Sequence, residues 1–568
     1  MSAIEMEKQQ DVMIPIRAAQ AALGYPTTLD HQSDAAQTMP DILAQSLAKY
    51  ASRPAYSCMG QTINYAELDC LSRKFAAFLQ NTLRLQPGDR VALQLPNVLQ
   101  YPVAVFGALR AGMVVVNVNP LYTPDEMQHQ LSDSGATAIV ILANMASKLE
   151  SIIAKTQLRH VVVTELADLH PFPKRFFINA AVRYLKKMVP AYHLLQAISF
   201  RNALAQGDEK NLQATSIKAN DIAVLQYTGG TTGVAKGVKL THANLLANMR
   251  QCRIFMEKAG VKNGGEVALA PLPLYHIYAF MLHTVLLVES GSHSVLIPNP
   301  RDLDSVVDAW SNNPCSFFVG INTLFVALSN HAAFQKLNFS ALKLTFSGGM
   351  ALTETAAKRW KTVTGCSVLE GYGMTETSPV VTINPYGAAK LGTIGIPVAD
   401  VTVKVVDNDD VVQPVGEAGE LCVQGPQVMQ GYWQRDDETQ KTIINGWLHT
   451  GDIAVVDPDG YIRIVDRKKD MIIVSGFNVY PNEVENVMSA HPDVVECAVV
   501  GVPSEKTGEA VKLFVVSRNP ALTKEDLKAY AREHLTGYKA PDAIEFRDSL
   551  PKSNVGKNLR RELRDGKA

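Results

Sequence analysis

The 568-residue chain has no apolar run of membrane-spanning length, no Cys-x-x-Cys pair and no surplus of basic charge. Its most apolar stretch, YPVAVFGALRAGMVVVNV, is split by Arg110 and reads as a core helix followed by a strand. The seven cysteines (58, 70, 252, 315, 366, 422 and 497) are scattered, with no histidine at metal-ligand spacing. That argues against a structural zinc site and predicts reduced thiols in a cytoplasmic compartment. Lys plus Arg total 54 against 55 for Asp plus Glu, so nucleic acid is not an expected partner. The first ten residues, MSAIEMEKQQ, include two glutamates and no apolar core, so no secretory signal is expected.

What is present is the composition of a folded enzyme: 47% hydrophobic and 19% charged residues, enough chain for roughly three or four domain-sized units. From about residue 60 to 450, short β-branched runs alternate with helical patterns. Strands are predicted at 91–95, 137–142, 160–164, 222–226, 294–298 and 344–349, and a helix in ALTETAAKRWKTVTG is predicted to end at Gly365. This alternation predicts a parallel α/β architecture. Near residue 400 the texture changes. ADVTVKVVDNDDVVQPVGEAGELCVQG reads as three strands separated by an acidic turn and a Pro/Gly turn, a small β-barrel-like piece near 395–466. Asp457-Pro458-Asp459-Gly460 predicts a hairpin. After the charged interruption Arg467-Lys468-Lys469-Asp470, the remaining chain has the size of a small α+β domain, with a capping pair at Thr523/Asp526. The expected division is a large domain at 1–466 and a small mobile one at 467–568.

The stretch YTGGTTGVAKGV, from Tyr227 to Val238, follows a predicted strand and holds three Thr, four Gly and a Lys without an acidic residue. Glycines let backbone N–H groups approach an anion, threonines add hydroxyl donors, and Lys236 adds charge, so the loop reads as a phosphate cradle. It is not a P-loop, because Gly237 rather than Ser or Thr follows the lysine. EGYGMTET (370–377) fails the dinucleotide fingerprint, since Glu376 stands at the third glycine position.

The loop resembles the phosphate-binding loop of the adenylate-forming superfamily, which includes acyl-CoA synthetases, firefly luciferase and peptide-synthetase adenylation domains. EGYGMTET, GELCVQGPQVMQGYW (419–433), the block from Asn445 to Glu485 and PKSNVGKNLRREL (551–563) fit the same family in order, over roughly residues 40 to 565. The block from Asn445 resembles the signature of fatty-acyl-CoA synthetases, bacterial long-chain fatty-acid–CoA ligases above all. Peptide-synthetase membership is less expected, because no carrier domain follows Ala568. An aryl- or short-chain acyl-CoA ligase, or a catalytically silent lipid- or nucleotide-binding protein, is the alternative.

The resemblance implies ATP, Mg²⁺ and CoA, with a medium- to long-chain fatty acid as substrate. Thr228, Gly229, Gly230, Thr231, Thr232, Gly233 and Lys236 would hold the β/γ-phosphates. Thr375 would donate to the α-phosphate and Glu376 would bind the metal. Gly349, Glu370, Gly371 and Tyr372 would line the adenine pocket, and Asp452 with Arg467 would take the ribose. Lys557 is the expected adenylation residue, its ammonium bridging carboxylate and phosphate. Ser553 stands in that motif where many relatives have Thr. Lys469 matches the pivot of a domain rotation, and Gly476 with Asn478 part of a pantetheine tunnel. His276, by its own context a packed core histidine, takes by resemblance a place near the carboxylate and pantetheine channel. Phe280 matches an aromatic acyl gate, a Trp in those relatives. The stretch 172–195, with five basic residues and no acidic one, reads either as an interfacial segment on anionic lipid or as a solvated helical face. The expected setting is the cytoplasm, with peripheral contact on the membrane face and a homodimer both left open.

Overall fold

Every strand expected in the first half forms, at Arg90–Gln94, Ala138–Leu142, His160–Thr164, Ile222–Thr228, His293–Leu296 and Leu344–Ser347. The structure is a computed structural model that describes residues 11–29, 37–228, 235–475, 477–552 and 558–566.

Two large sheets build the N-terminal domain. One has seven strands in the order 198–199, 160–164, 138–142, 90–94, 114–117, 222–228, 236–241. All its pairings are parallel except the last, where 236–241 folds back antiparallel on 222–228. The other has nine strands, and 54–58, 293–296, 267–270, 317–320, 344–347 and 368–373 form its parallel centre. Antiparallel strands close both edges. The apolar stretch split by Arg110 becomes helix Gln100–Arg110, buried along nearly its whole length, then strand Val114–Asn117. Helix Glu354–Thr364 ends at Gly365, whose φ of 76° supplies the left-handed cap expected of it.

Period-2 alternation sorts the nine-stranded sheet's centre into two faces. Phe318, Val368 and Thr345 point to one side, where Phe318 stacks on Trp360 at 5.3 Å and the Trp360 indole N–H donates to Thr345 Oγ1 at 3.1 Å. Phe317, Val319, Leu344, Phe346 and Leu369 point to the other, toward helix His242–Lys258. The first face is packed solid with aromatics; the second leaves a cavity.

From residue 402 a five-stranded antiparallel sheet follows, with 447–456 paired to 462–467 across the expected Asp457–Gly460 hairpin. One expected strand is missing there: of VVQPV only Val412 makes an isolated bridge, to Val406. Pro414 removes a backbone donor, and Asp407 captures the N–H groups of Asp409 and Val411, so side-chain bonds replace the ladder. The small C-terminal domain is a second five-stranded sheet, in which 494–504 and 508–517 form the long hairpin. Its helix Lys524–His534 opens on a complete Thr523/Asp526 capping box.

Candidate active site

The Gly/Thr loop is carried by a hairpin, not by a strand and a helix. Thr228 and Lys236 are register partners, so both ends of the loop are held opposite each other. No helix N-terminus lends it a positive dipole, which gives a physical reason for the supply of hydroxyls and a lysine. Gly229, Gly230, Thr231, Thr232 and Gly233 lie outside the described residues, as do Gly476, Ser553 and Lys557.

Segment 430–433 docks along the strand that follows the loop, with Lys239 N donating to Gly431 O and Trp433 N to Gly237 O. That contact brings three side chains together. Tyr432 donates its hydroxyl to Glu376 Oε1 at 2.8 Å, and the Lys236 ammonium lies 4.8 Å from the Tyr432 ring centroid. Lys236 also pairs with Glu438 at 2.7 Å. Glu376 is buried and makes no ion pair within 4 Å among the described residues. Burial raises its carboxyl above the usual range, against the bond from Tyr432 and the charges of Lys236 and Arg467. Thr375 opens the short turn that presents it.

A second group forms where Asp452 and Arg467 sit opposite each other on neighbouring strands. The Arg467 Nε lies 3.3 Å from Asp452 Oδ1, and Tyr372 donates its hydroxyl to Oδ2 at 2.5 Å. Tyr372 belongs to strand Val368–Gly373, in which Gly371 has no room for a side chain: a Cβ there would stand 2.6 Å from the Phe346 ring. Glu370 is buried, its carboxyl pushed up to about 7 by loss of water, and it accepts from Leu352 N. Gly349 turns the chain at φ 84° just before it.

His276 caps the short helix Ile277–Phe280, accepting from Tyr278 N at 3.4 Å. The loop before it is clamped from the seven-stranded sheet. Asn97 donates to Ala270 O and Leu272 O and accepts from Leu274 N, each at 2.8 Å, and Gln226 donates to Tyr275 O. No motif marks these lone amides in the sequence; only the seam between the sheets gives them partners. Glu438 and Tyr432 were missed for the same reason.

Beyond Tyr278, the cavity behind the site holds about 540 Å³ of empty space, lined by helix 242–258, residues 278–286 and the sheet face described above. That lies within the usual range for a small-molecule pocket. Phe280 is fully buried in the core and is not part of the cavity wall; Tyr278, Met281 and Leu282 are. Lys469 is exposed in the turn 468–470, and Asn478 is exposed on strand Phe477–Val479 beside Phe477, whose ring stacks on Tyr538 at 4.8 Å.

Nucleotide-type features on one rim and an apolar cavity behind them agree with what sequence comparison finds. Residues 43–433 match the family described as AMP-binding enzyme, and 483–557 match its C-terminal domain. The chain belongs to the AMP-binding enzyme family. It is 54% identical over 533 residues to a long-chain-fatty-acid–CoA ligase of Escherichia coli O6:H1, covering 94% of this chain and 95% of that one. It is 37% identical to the long-chain-fatty-acid–CoA ligase of Bacillus subtilis, covering 95% and 96%. Among solved structures, it superposes with a TM-score of 0.82 on the anthranilate CoA ligase AuaEII in complex with anthranoyl-AMP, at 25% identity over 93% of this chain and 97% of that one. ATP-bound MatB from Rhodopseudomonas palustris gives 0.80 at 28% identity, over 93% and 98%.

The Lys236–Glu438 pair occupies the ammonium expected to meet phosphate. Glu438→Gln is expected to lower the KM for ATP about 2- to 5-fold, the range of one partly exposed ion pair. An unchanged or raised KM would show that Glu438 does not compete for the lysine.

Proposed function

We infer that the chain is an ATP-dependent fatty-acid–CoA ligase acting on medium- to long-chain acids. The observation that carries this reading is the apolar cavity ending at Tyr278 and Gly348, one residue from Gly349 on the nucleotide side. In the first step a carboxylate oxygen attacks the α-phosphorus of ATP, and the bond to the β-bridging oxygen breaks to release pyrophosphate. In the second, the CoA sulfur attacks the acyl carbonyl and AMP leaves. The reactants of the first step are both anions, so the protein's work is charge neutralisation and in-line positioning.

The loop with Thr228 and Lys236 takes the β/γ-phosphates as a leaving group. Asp452 and Arg467 take the ribose, while Tyr372, Gly349, Glu370 and Gly371 enclose the adenine. Thr375 donates to the α-phosphate, and His276 stands at the carboxylate end of the acyl channel. Glu376 is a buried carboxylate without a cation among the described residues, which fits one oxygen ligand to Mg²⁺, an ion that keeps several waters and is commonly held by one or two carboxylates plus phosphates. Bound there, the ion would neutralise phosphate charge. Residues 467–568 form the moving domain, pivoting at Lys469 and presenting Asn478 and Gly476 to pantetheine.

The test is a ligation panel across acid chain lengths, with pyrophosphate exchange into ATP as the first-step readout. Exchange is expected only when a medium- or long-chain acid is present. Activity on aryl acids with failure of every fatty acid would overturn the substrate assignment.

The protein works in the cytoplasm and meets its insoluble substrate at an anionic membrane face through 172–195. No helix among the described residues is long and apolar enough to cross a membrane. Residues 172–195 nonetheless expose Phe172, Phe176, Phe177, Tyr184, Leu185 and Leu195, the last two at 81% and 94%. Lys174 and Arg183 are engaged, with Met59 O and Glu165, whereas Lys186 and Lys187 are exposed beside Leu185. Replacing both by neutral residues removes about 2 kcal/mol of attraction, roughly 30-fold in affinity for phosphatidylserine-containing vesicles by co-sedimentation. Unchanged sedimentation would reject the membrane contact.

A further inference from the structure

The cavity has 15 lining residues and a single hydroxyl among them, that of Tyr278. Its Oη is buried and has no hydrogen-bond partner among the described residues. The ring is held in place: Tyr278 N donates to His276 Nδ1, and Gly348 packs so closely that a Cβ there would stand 3.2 Å from Tyr278 Cζ and 3.3 Å from Oη. Gly348 follows the strand Leu344–Ser347, whose Phe346 lines the cavity, and precedes Gly349 on the nucleotide side. The hydroxyl therefore lies at the end of the cavity nearest the reacting carboxyl group, not at its blind end.

A buried phenol without a partner is costly, and a saturated hydrocarbon chain filling the cavity cannot relieve the cost. Cys252, the other weakly polar lining residue, is a poor acceptor. An oxygen on the ligand is the chemistry that would satisfy Tyr278. The reacting carboxylate is committed to phosphorus and to the cations around it, which leaves an oxygen carried on the first carbons of the chain.

We propose that the Tyr278 hydroxyl hydrogen-bonds an oxygen substituent near the carboxyl end of the acyl chain, so that the enzyme accepts 3-hydroxy and 3-oxo fatty acids and distinguishes them from their positional isomers. This rests on the assignment of the cavity to the acyl chain. Tyr278 acts here as a specificity residue and takes no part in proton transfer.

The experiment compares dodecanoate, 3-hydroxydodecanoate and 12-hydroxydodecanoate on the full-length enzyme and its Tyr278→Phe variant. Loss of the phenol should cost 3-hydroxydodecanoate about tenfold in kcat/KM, mostly through KM, one hydrogen bond's worth of discrimination. Dodecanoate and 12-hydroxydodecanoate should be unchanged or improved. The melting temperature of Tyr278→Phe should equal or exceed that of the parent, because an unpaired polar atom has been removed. Equal losses on all three acids, no change on any, or a loss confined to 12-hydroxydodecanoate would each overturn the proposal. Val319→Trp, which fills the cavity from the sheet side, tests the underlying assignment separately. It should shift preference toward shorter acids, and an unchanged chain-length profile would remove the cavity from the acyl role whatever Tyr278→Phe does.

Discussion

Lys557→Ala is expected to reduce fatty-acid-dependent pyrophosphate exchange by about a thousandfold, the scale of removing a charge that stabilises a transition state. Formation of acyl-CoA from preformed acyl-adenylate should stay within a few-fold of the parent. The asymmetry follows from the chemistry: only the first half-reaction brings two anions together. Lys557 itself lies outside the described residues, but both flanks of its segment are anchored. Lys552 and Asn558 are bridge partners, and Leu559 N donates to Pro551 O at 2.8 Å. Three residues beyond the lysine, Arg560 is fixed by four side chains, within at most about 11 Å of extended chain. A catalytic group delivered by a moving domain needs such an anchor, because a loosely placed ammonium loses most of its effect. Measuring both half-reactions decides the matter; equal loss in the two would take Lys557 out of the assigned role.

Arg560→Ala should be the most damaging single change to the C-terminal domain. The guanidinium lies 3.2 Å from Asp466 Oδ1, 2.8 Å from Glu485 Oε2 and 3.4 Å from Asp470 Oδ2, and it also donates to Asn482 Oδ1. The Asp466 side chain is fully buried and those of Arg560, Asp470 and Glu485 nearly so. Burial alone would lower the guanidinium's affinity for its proton, yet Glu485 and Asp466 hold it well above the ordinary range. Alanine would strand these carboxylates in a poorly hydrated seam at a cost of about 3–5 kcal/mol, and Arg560→Lys should recover only part of it. Because the chain has more than one domain, a single unfolding midpoint is a poor measure; hydrogen exchange across 470–566 resolves the affected unit. Protection factors there should fall by 100-fold or more, and pyrophosphate exchange should fall with them, since the anchor of the Lys557 segment is gone. Near-parental protection would mean that water already screens the cluster.

The sequence by itself determined the strand–helix alternation, the Gly365 cap, the Asp457–Gly460 hairpin and the Thr523 capping box, because each depends on a few neighbouring residues and on periods of 2 and 3.6. It also singled out Tyr372, Glu376, Asp452 and Arg467, since they sit in long motifs. Local patterning overreached at VVQPV, where Asp407 and Pro414 turn an apparent strand into a side-chain-bonded loop. Tertiary structure alone decided the rest. Asn97 and Gln226 became clamps only when the seven-stranded sheet met the loop at 270–276, some 173 residues from Asn97 in the chain. Glu438 met Lys236 across 202 residues. The cavity needed one face of a sheet, one face of a helix and the turn at Tyr278 to leave space unfilled, and it left Phe280, two residues on, in solid core. Contacts between segments far apart in sequence carry no local period, so a side chain's partner, and with it its chemistry, emerges only when the layers pack.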